Sequence, residues 1–268
     1  MLYGFIGTGN MGGALARSCA KAVKPENLLL SNRTPEKAQA LAKELGAQAV
    51  DNETIAARCD VLFLGVKPQG MEDMLRRLRP VLAGRTDSFV LVSMAAGLTV
   101  AALQRMAGRS YPVMRIMPNT ACAVGEGMTL LTCSDEVTQA QQQAVLLALS
   151  ASGLVEEIDE ALIDAGSAVA GCGGAFACLF LEGLADGGVL CGLPRKKAQR
   201  MAAQMLLGMA TQALESDEHT GALKDAVCSP AGSTIAGVRK LESMSFRSAA
   251  MEAVIAAWER EREMQQQK

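Results

Sequence analysis

The sequence predicts an α/β N-terminal domain with a doubly wound, mainly parallel sheet over residues 1–158, followed by an all-helical domain over residues 159–268. Three observations carry that expectation. Short β-rich runs alternate with segments of helical apolar spacing as far as residue 158. The texture then changes to long runs dominated by Gly, Ala, Leu and Met. A glycine-rich turn stands directly between the first strand and the first helix.

The expected strands are Leu2–Ile6, Leu28–Ser31, Ala47–Val50, Val61–Val66, Phe89–Ser93, Val113–Met117, Met128–Thr132 and Leu154–Ile158. Between the earlier ones, helical spacing covers Met11–Ala22, Pro35–Leu45, Glu53–Arg58, Met71–Leu82 and Val100–Met106. Thr34 can N-cap a helix whose first position is Pro35, and Gly46 follows its last turn. In the second domain, helices are expected over 161–191, 195–216, 233–243 and 246–265, broken by Gly192-Leu193-Pro194 and Ser229-Pro230. The terminal "EREREMQQQK" reads as a solvated, fraying helix end.

The stretch Ala165–Leu181 has no charge over 17 residues, which is at the short limit for a membrane span. Its Gly and Ala content and the flanking Asp164, Glu182 and Asp186 favour a helix buried in a protein core or a subunit interface, so no membrane partner is expected. With a net charge of −2 and no long basic run, no nucleic-acid partner is expected either. Eight cysteines without a C-x-x-C pair, and a single histidine, His219, beside Asp217 and Glu218, give no metal site of the usual spacing. The cysteines read as small buried hydrophobes of a reducing compartment and His219 as a structural or surface residue. Met1-Leu2-Tyr3 leads straight into the first strand without a basic leader, so the expected compartment is the cytoplasm.

"FIGTGNMGGA" sets Gly7, Gly9 and Gly12 in a G-x-G-x-x-G after a strand, with Thr8, Asn10 and Met11 between them. In that context the glycines allow a tight turn, close approach of a pyrophosphate, and helix–strand packing, which is the dinucleotide fingerprint of a Rossmann domain. The acidic residue that grips a ribose 2′-OH about 20 residues on is replaced by Asn32-Arg33. With no carboxylate to repel a 2′-phosphate and a guanidinium to bind it, NADPH is favoured, with NADH weaker. "VKPQ" (Val66, Lys67, Pro68, Gln69), "SMAAG" with Ala96, and "MPNT" with Asn119 fall at later strand ends, where the nicotinamide half belongs. Lys67 reads as a cation on the cofactor's phosphate or ribose rather than a catalytic base.

"DAVCSPAGSTIAGV" (Asp225–Val238) looks like a helix start, where free backbone N–H groups and two hydroxyls gather at a positive helix end and can hold an anion. These residues carry a resemblance. "FIGTGNM", "VLFLGVKPQ", "MAAG", "RIMPNTACAVGEG", "ADGGVLCGLPR" and "LKDAVCSPAGSTIAG" are similar, in order, to segments of the pyrroline-5-carboxylate reductase family, and the match spans essentially the whole chain.

The resemblance implies a Rossmann domain, a C-terminal dimerisation domain that interlocks with a second subunit, and homodimers that assemble further, to a decamer. It implies NAD(P)H-dependent reduction of the cyclic imine Δ1-pyrroline-5-carboxylate to L-proline. It puts Asn52 at the adenosine side and Val66, Lys67 and Ala96 at the cofactor. It puts Glu160 at a substrate-side acidic position, with Ser233 and Thr234 as the substrate pair. On this reading, the anion is the substrate carboxylate, held by backbone from Ala231 through Gly232 and Ser233 to Thr234 beside Ser229, and the Thr234 hydroxyl bonds the ring nitrogen. A protonated imine is already an electrophile and needs no oxyanion stabilisation, so orientation suffices and few catalytic side chains are needed.

The chain departs from the family where S-G-S-G-P-A-Y becomes Ala170-Gly171-Cys172-Gly173-Gly174-Ala175-Phe176, where Ala121 follows Asn119-Thr120, and where Ala231 replaces a usual Gly. Reduction of a related cyclic imine or carbonyl acid, and a non-catalytic NADP-binding regulatory role, are the alternatives. A β-hydroxyacid dehydrogenase would need a Lys on the long helix, and none occurs between Lys67 and Lys196.

Overall fold

The computed structural model describes residues 1–266, with side-chain surroundings through Glu263; Gln267 and Lys268, the last residues of the expected fraying end, lie outside the described residues. Two compact units make up the chain, one of residues 1–171 together with the final segment from Trp258, the other of Cys172–Ala257.

The first unit runs β1 (Tyr3–Ile6), α1 (Asn10–Ala22), β2 (Leu28–Ser31), α2 (Pro35–Leu45), β3 (Gln48–Ala49), α3 (Asn52–Arg58), β4 (Val61–Leu64), α4 (Pro68–Ala83), β5 (Val90–Ser93), α5 (Val100–Ala107), β6 (Val113–Pro118), β7 (Gly127–Cys133), α6 (Gln139–Leu149) and β8 (Gly153–Glu157). The sheet order is β3-β2-β1-β4-β5-β6-β7-β8, parallel except for β6 against β7. Because the order reverses between β1 and β4, their C-terminal ends flank the switch-point crevice where dinucleotides bind in such sheets. The β6–β7 link is a 3-10 turn, Thr120–Val124, ended by Gly125 at φ 85°; it is too short for a crossover, so the strands run antiparallel.

Strand alternation sends neighbouring side chains to opposite faces, and each face has its own core. Phe5, Phe63 and Val92 pack with Leu15 of α1 and Val145 of α6, whereas Ile6, Leu62 and Leu64 pack with Ile55, Leu75 and Leu103 of α3, α4 and α5. The Phe5 and Phe63 rings stack with centroids 4.4 Å apart. All eight expected strands form. Helix α6 was not expected, because Leu146 and Leu147 sit on its exposed side and blur the apolar period; its capping box of Thr138 and Gln141 was the readable signal. Thr34 occupies the N-cap position of α2 but its hydroxyl makes no capping bond, so that expectation is corrected; Gly46 ends the helix at φ 71° as expected.

The strands end at Glu157, yet the first compact unit continues to Gly171. The cause is burial: Ile163 and Ala168 are fully buried, and Gly166 packs so closely on Leu130 that a Cβ there would come within 2.6 Å of it. The expected single helix 161–191 is three pieces, α7 (Ile163–Ser167), a π-helical turn (Ala168–Cys172) and α8 (Gly173–Leu190).

The second unit contains α8, α9 (Arg195–Glu215), α10 (Thr220–Ala226), α11 (Ser233–Ser243) and the start of α12 (Phe246–Gln266). Helices α8 and α9 turn at Gly192, φ 95°, with Asp186 and Arg195 paired at 2.5 Å. The short helix α10 escaped the sequence reading; His219 is its N-cap, its Nδ1 accepting from the Gly221 N–H at 3.0 Å. Among the described residues of this unit, only the small Ala185, Ala198 and Ala202 and the larger Leu223 are buried hydrophobics. By length and composition the helical run 160–190 is apolar enough to cross a membrane, and only 11% of its most apolar window is buried. Of the two expected settings, a protein core or a subunit interface, this chain's own core is not the one that covers it. The cysteines divide likewise: Cys19, Cys59 and Cys122 are buried, whereas Cys178 and Cys191 are exposed. Burial pushes the Cys19 and Cys59 thiols up to about 12, so they stay protonated and inert.

Candidate active site

In the first unit, the candidate nucleotide site is the β1–α1 turn. Gly7 has φ 98°, and a Cβ on it would lie 2.6 Å from the Gly65 carbonyl oxygen; a Cβ on Gly12 would lie 2.1 Å from the Gly7 oxygen. Both positions therefore demand glycine, one for conformation and contact, the other for the approach of helix to turn. A Cβ on Gly9 would meet nothing within 4 Å, so the space over the turn is open. Gly65, at the end of β4, was missed by the sequence reading: its own Cβ would lie 2.2 Å from the Gly7 oxygen, so it is the other wall of the same turn.

Helix α1 has no side-chain cap at Gly9, and its first returning bond is from Gly13 N to Gly9 O, which leaves the N–H groups of Asn10, Met11 and Gly12 at its positive end. Thr8 Oγ1 is buried with no hydrogen-bond partner among the described residues. An open cradle, three free N–H groups and an orphaned hydroxyl fit a pyrophosphate.

Beyond β2, Ser31 donates from Oγ to Asn52 Oδ1 at 2.5 Å, tying the strand end to the start of α3 beside the partly exposed Asn32. Arg33 is exposed and has no ion-pair partner among the described residues, so its guanidinium is unspent. Val66 is half-buried against the α3–α5 core, the exposed Lys67 precedes α4, and Pro68 is the helix's first residue. Ala96 lies exposed in the β5–α5 turn before Gly97, φ 71°. Asn119 is engaged within the protein: Nδ2 donates to the Ala170 carbonyl at 3.0 Å, and Oδ1 accepts from the Ala121 and Met128 N–H groups. It holds the carbonyl of a π-helical turn, a service the sequence did not reveal.

Glu160 accepts from the Val100 N–H at 2.7 Å and stands 3.5 Å from the buried Arg115 guanidinium, which is also 3.3 Å from Asp164. Ser167 donates to Glu261 at 2.9 Å. Burial raises the Glu261 carboxyl above its ordinary range, a rise reinforced by Asp164 and opposed by the Ser167 bond and Arg115. Glu261 thus departs from the solvated reading of the chain's end.

The second unit has a candidate anion site of its own, in the segment before α11. Gly232 is the N-cap with no side-chain capping bond, and none of the Ser229, Ser233 or Thr234 hydroxyls caps the helix. Among the described residues, the N–H groups of Ser233, Thr234 and Ile235 have no partner. A Cβ on Gly232 would fall 2.3 Å from Ser229 Oγ, so the turn closes tightly there. Ala231 sits at φ 58°, a left-handed conformation that costs a residue with a Cβ about 1–2 kcal/mol. Among the described residues, no group of three or more His, Cys, Asp or Glu is arranged to hold a metal.

Residues 160–264 match a family model described as pyrroline-5-carboxylate reductase dimerisation, and residues 2–97 match one described as NADP oxidoreductase, coenzyme F420-dependent. The chain is 39% identical over 264 residues to a pyrroline-5-carboxylate reductase of Methanosarcina acetivorans, covering 97% of each chain. The chain belongs to the pyrroline-5-carboxylate reductase family. The Escherichia coli family member is 38% identical over 260 residues, with 96% of each chain covered. Among solved structures, a Plasmodium falciparum pyrroline carboxylate reductase with NADP bound superposes with a TM-score of 0.86 at 33% identity, covering 99% of this chain and 98% of that one. A Coxiella burnetii pyrroline-5-carboxylate reductase gives 0.90 at 29% identity, covering 97% of each. The family membership agrees with the resemblance read in the sequence.

Proposed function

We propose that this family member reduces Δ1-pyrroline-5-carboxylate to L-proline by binding and orienting two partners, with NADPH preferred over NADH. The observation that carries the reading is that each unit has its own set of donors without partners among the described residues: three N–H groups at the start of α1 beside the open Gly9, and three at the start of α11 beside the Ser233 and Thr234 hydroxyls. Bound NADPH supplies the hydride that the imine carbon accepts.

Gly7 to Gly12, with Thr8, Asn10 and Met11, hold its pyrophosphate, and Arg33 with Asn32 binds the 2′-phosphate. Asn52 flanks the adenosine side. Val66, Lys67, Pro68 and Ala96 line the nicotinamide side; the side chain of Asn119 supports that side by fixing the Ala170 carbonyl. The N–H groups of Ser233 and Thr234 hold the substrate carboxylate, with Ser229, Ala231 and Gly232 shaping the turn. Thr234 Oγ1 bonds the ring nitrogen. No group has to protonate an alkoxide, because the imine enters protonated and leaves as an amine. Orientation in well-held cases is worth up to about 7–11 kcal/mol.

Residues 1–158 serve as the NADP-binding domain and 159–268 as the substrate and dimerisation domain. The open apolar surface of the second unit, with Leu179, Leu190 and Met244 each more than two-thirds exposed, is the face a second copy covers, and higher assembly to a decamer builds on that dimer. Eight cysteines with no disulfide among the described residues suit the reducing cytoplasm. The test is oxidation of NADPH by racemic pyrroline-5-carboxylate with proline measured as product. One proline per NADPH supports the reading; NADPH binding without turnover leaves a regulatory nucleotide-binding protein and refutes it.

A further inference from the structure

Arg115 lies in the middle of β6, paired in register with Ser93 of β5 and Thr132 of β7, and is only 2% exposed. Its strand neighbours Met114 and Ile116 are ordinary core residues. An apolar residue would fill such a place without the cost of burying a charge, so stability alone does not explain an ion cluster here. The cluster acts on something specific. Glu160 Oε1 is shared between the Arg115 guanidinium, at 3.5 Å, and the Val100 N–H, at 2.7 Å, and Val100 is the first residue of α5. The N-cap Thr99 already takes the Ala102 N–H at 3.1 Å, so Glu160 satisfies a second orphaned donor at the same helix end. Immediately upstream is the β5–α5 turn with exposed Ala96 and left-handed Gly97. The same strand grips the following segment twice more: Arg115 reaches Asp164 at 3.3 Å, and Asn119, just past the strand end, holds Ala170.

We propose that Arg115 and Glu160 are positioning residues for the cofactor, acting through the Val100 N–H to fix the β5–α5 turn, and that Glu160 is not a substrate contact. This rests on the reading above that Ala96 lines the nicotinamide side. The buried guanidinium holds the carboxylate in place; the carboxylate holds the helix start; the helix start sets the height of the turn. The pair therefore governs how tightly the dinucleotide is held, with the substrate half untouched.

The experiment is NADPH affinity by fluorescence titration, together with steady-state kinetics and the thermal midpoint, for Glu160→Gln, Arg115→Lys and the control Ala96→Leu. Glutamine keeps an acceptor for Val100 but gives up the ion pair. The expected result for Glu160→Gln is a 5- to 20-fold rise in the NADPH Kd (about 1–2 kcal/mol), with the KM for pyrroline-5-carboxylate at saturating NADPH within about twofold of the parent. Arg115→Lys, which keeps the charge and gives up the fork, is expected to fall between. A raised KM for the imine with an unchanged NADPH Kd would return Glu160 to the substrate, and a lower thermal midpoint with both constants unchanged would make the cluster structural only; either overturns the proposal. If Ala96→Leu leaves the NADPH Kd unchanged, the placement of the turn itself fails, and the proposal with it. If Ala96→Leu raises the Kd and Glu160→Gln does not, only the positioning role fails.

Discussion

Replacing Gly9 by alanine separates the fold of the β1–α1 turn from its use. Gly9 has φ −72° and ψ −158°, which alanine adopts, and its Cβ would meet nothing within 4 Å. The stability of the free protein is therefore expected to stay within about 0.5 kcal/mol of the parent, as for an exposed site without special geometry. If the pyrophosphate binds the α1 N–H groups as proposed, the new methyl stands in its approach. Loss of a hydrogen bond to a charged group costs about 1.5–3 kcal/mol, so the NADPH Kd is expected to rise roughly 10- to 150-fold. Isothermal titration gives the affinity and a thermal melt of the apoprotein gives the stability. Gly12→Ala is the contrast: its Cβ lies 2.1 Å from the Gly7 oxygen, and the melt itself should drop. A Gly9→Ala protein that binds NADPH like the parent would place the pyrophosphate elsewhere and refute the reading of the turn.

Arg33→Ala should raise the KM for NADPH more than that for NADH; equal changes would put the 2′-phosphate on another residue. Ala231→Gly relieves a left-handed alanine, about 1–2 kcal/mol, against about 0.4–1 kcal/mol of added freedom in the unfolded chain, so stability by urea titration should rise, by up to about 1.5 kcal/mol. Thr234→Ala should lower kcat/KM for the imine by about 1.5–3 kcal/mol while leaving NADPH affinity alone, with Thr234→Ser recovering most of it; a parental kcat/KM removes the hydroxyl from the mechanism. Glu261 has a raised carboxyl, so its ionisation opposes folding: the penalty is absent below the ordinary glutamate value of about 4.3, grows as pH rises, and is complete above the raised value. Glu261→Gln, which keeps an acceptor for Ser167, should therefore stabilise the protein at neutral pH and give no gain at pH of about 3.5, as followed by melts across that range.

The nucleotide half was legible because its chemistry is local. Gly7, Gly9 and Gly12 announce a turn, and strands with a period of two announce a sheet, each within one short window. What escaped depends on contacts distant in sequence. Arg115 reads as one cation among core residues; only folding brings Glu160 and Asp164 to it, 45 and 49 residues later in the chain. Asn119 read as a strand-end residue on the cofactor side, but its partner, the Ala170 carbonyl in a π-helical turn, comes 51 residues later in the chain. Gly65 carries no motif, and its need for close approach comes wholly from Gly7. The α11 start was legible as a helix start, since Pro230 and the small residues after it mark one, but the strain at Ala231 was not, because φ is not written in composition. The apolar run through α8 read as buried in a core or a subunit interface and is exposed in the single chain, since periodicity registers apolar faces without saying which molecule covers them.

The central claim is that hydride passes from the nicotinamide to the imine carbon of Δ1-pyrroline-5-carboxylate. NADPH deuterated at C4, prepared separately in each of its two stereochemical forms, tests it directly when the proline formed is read by mass spectrometry and NMR. The account predicts one deuterium per proline, at C5, from one of the two forms and none from the other. Deuterium appearing in neither product, or NADPH consumed without proline, would contradict it.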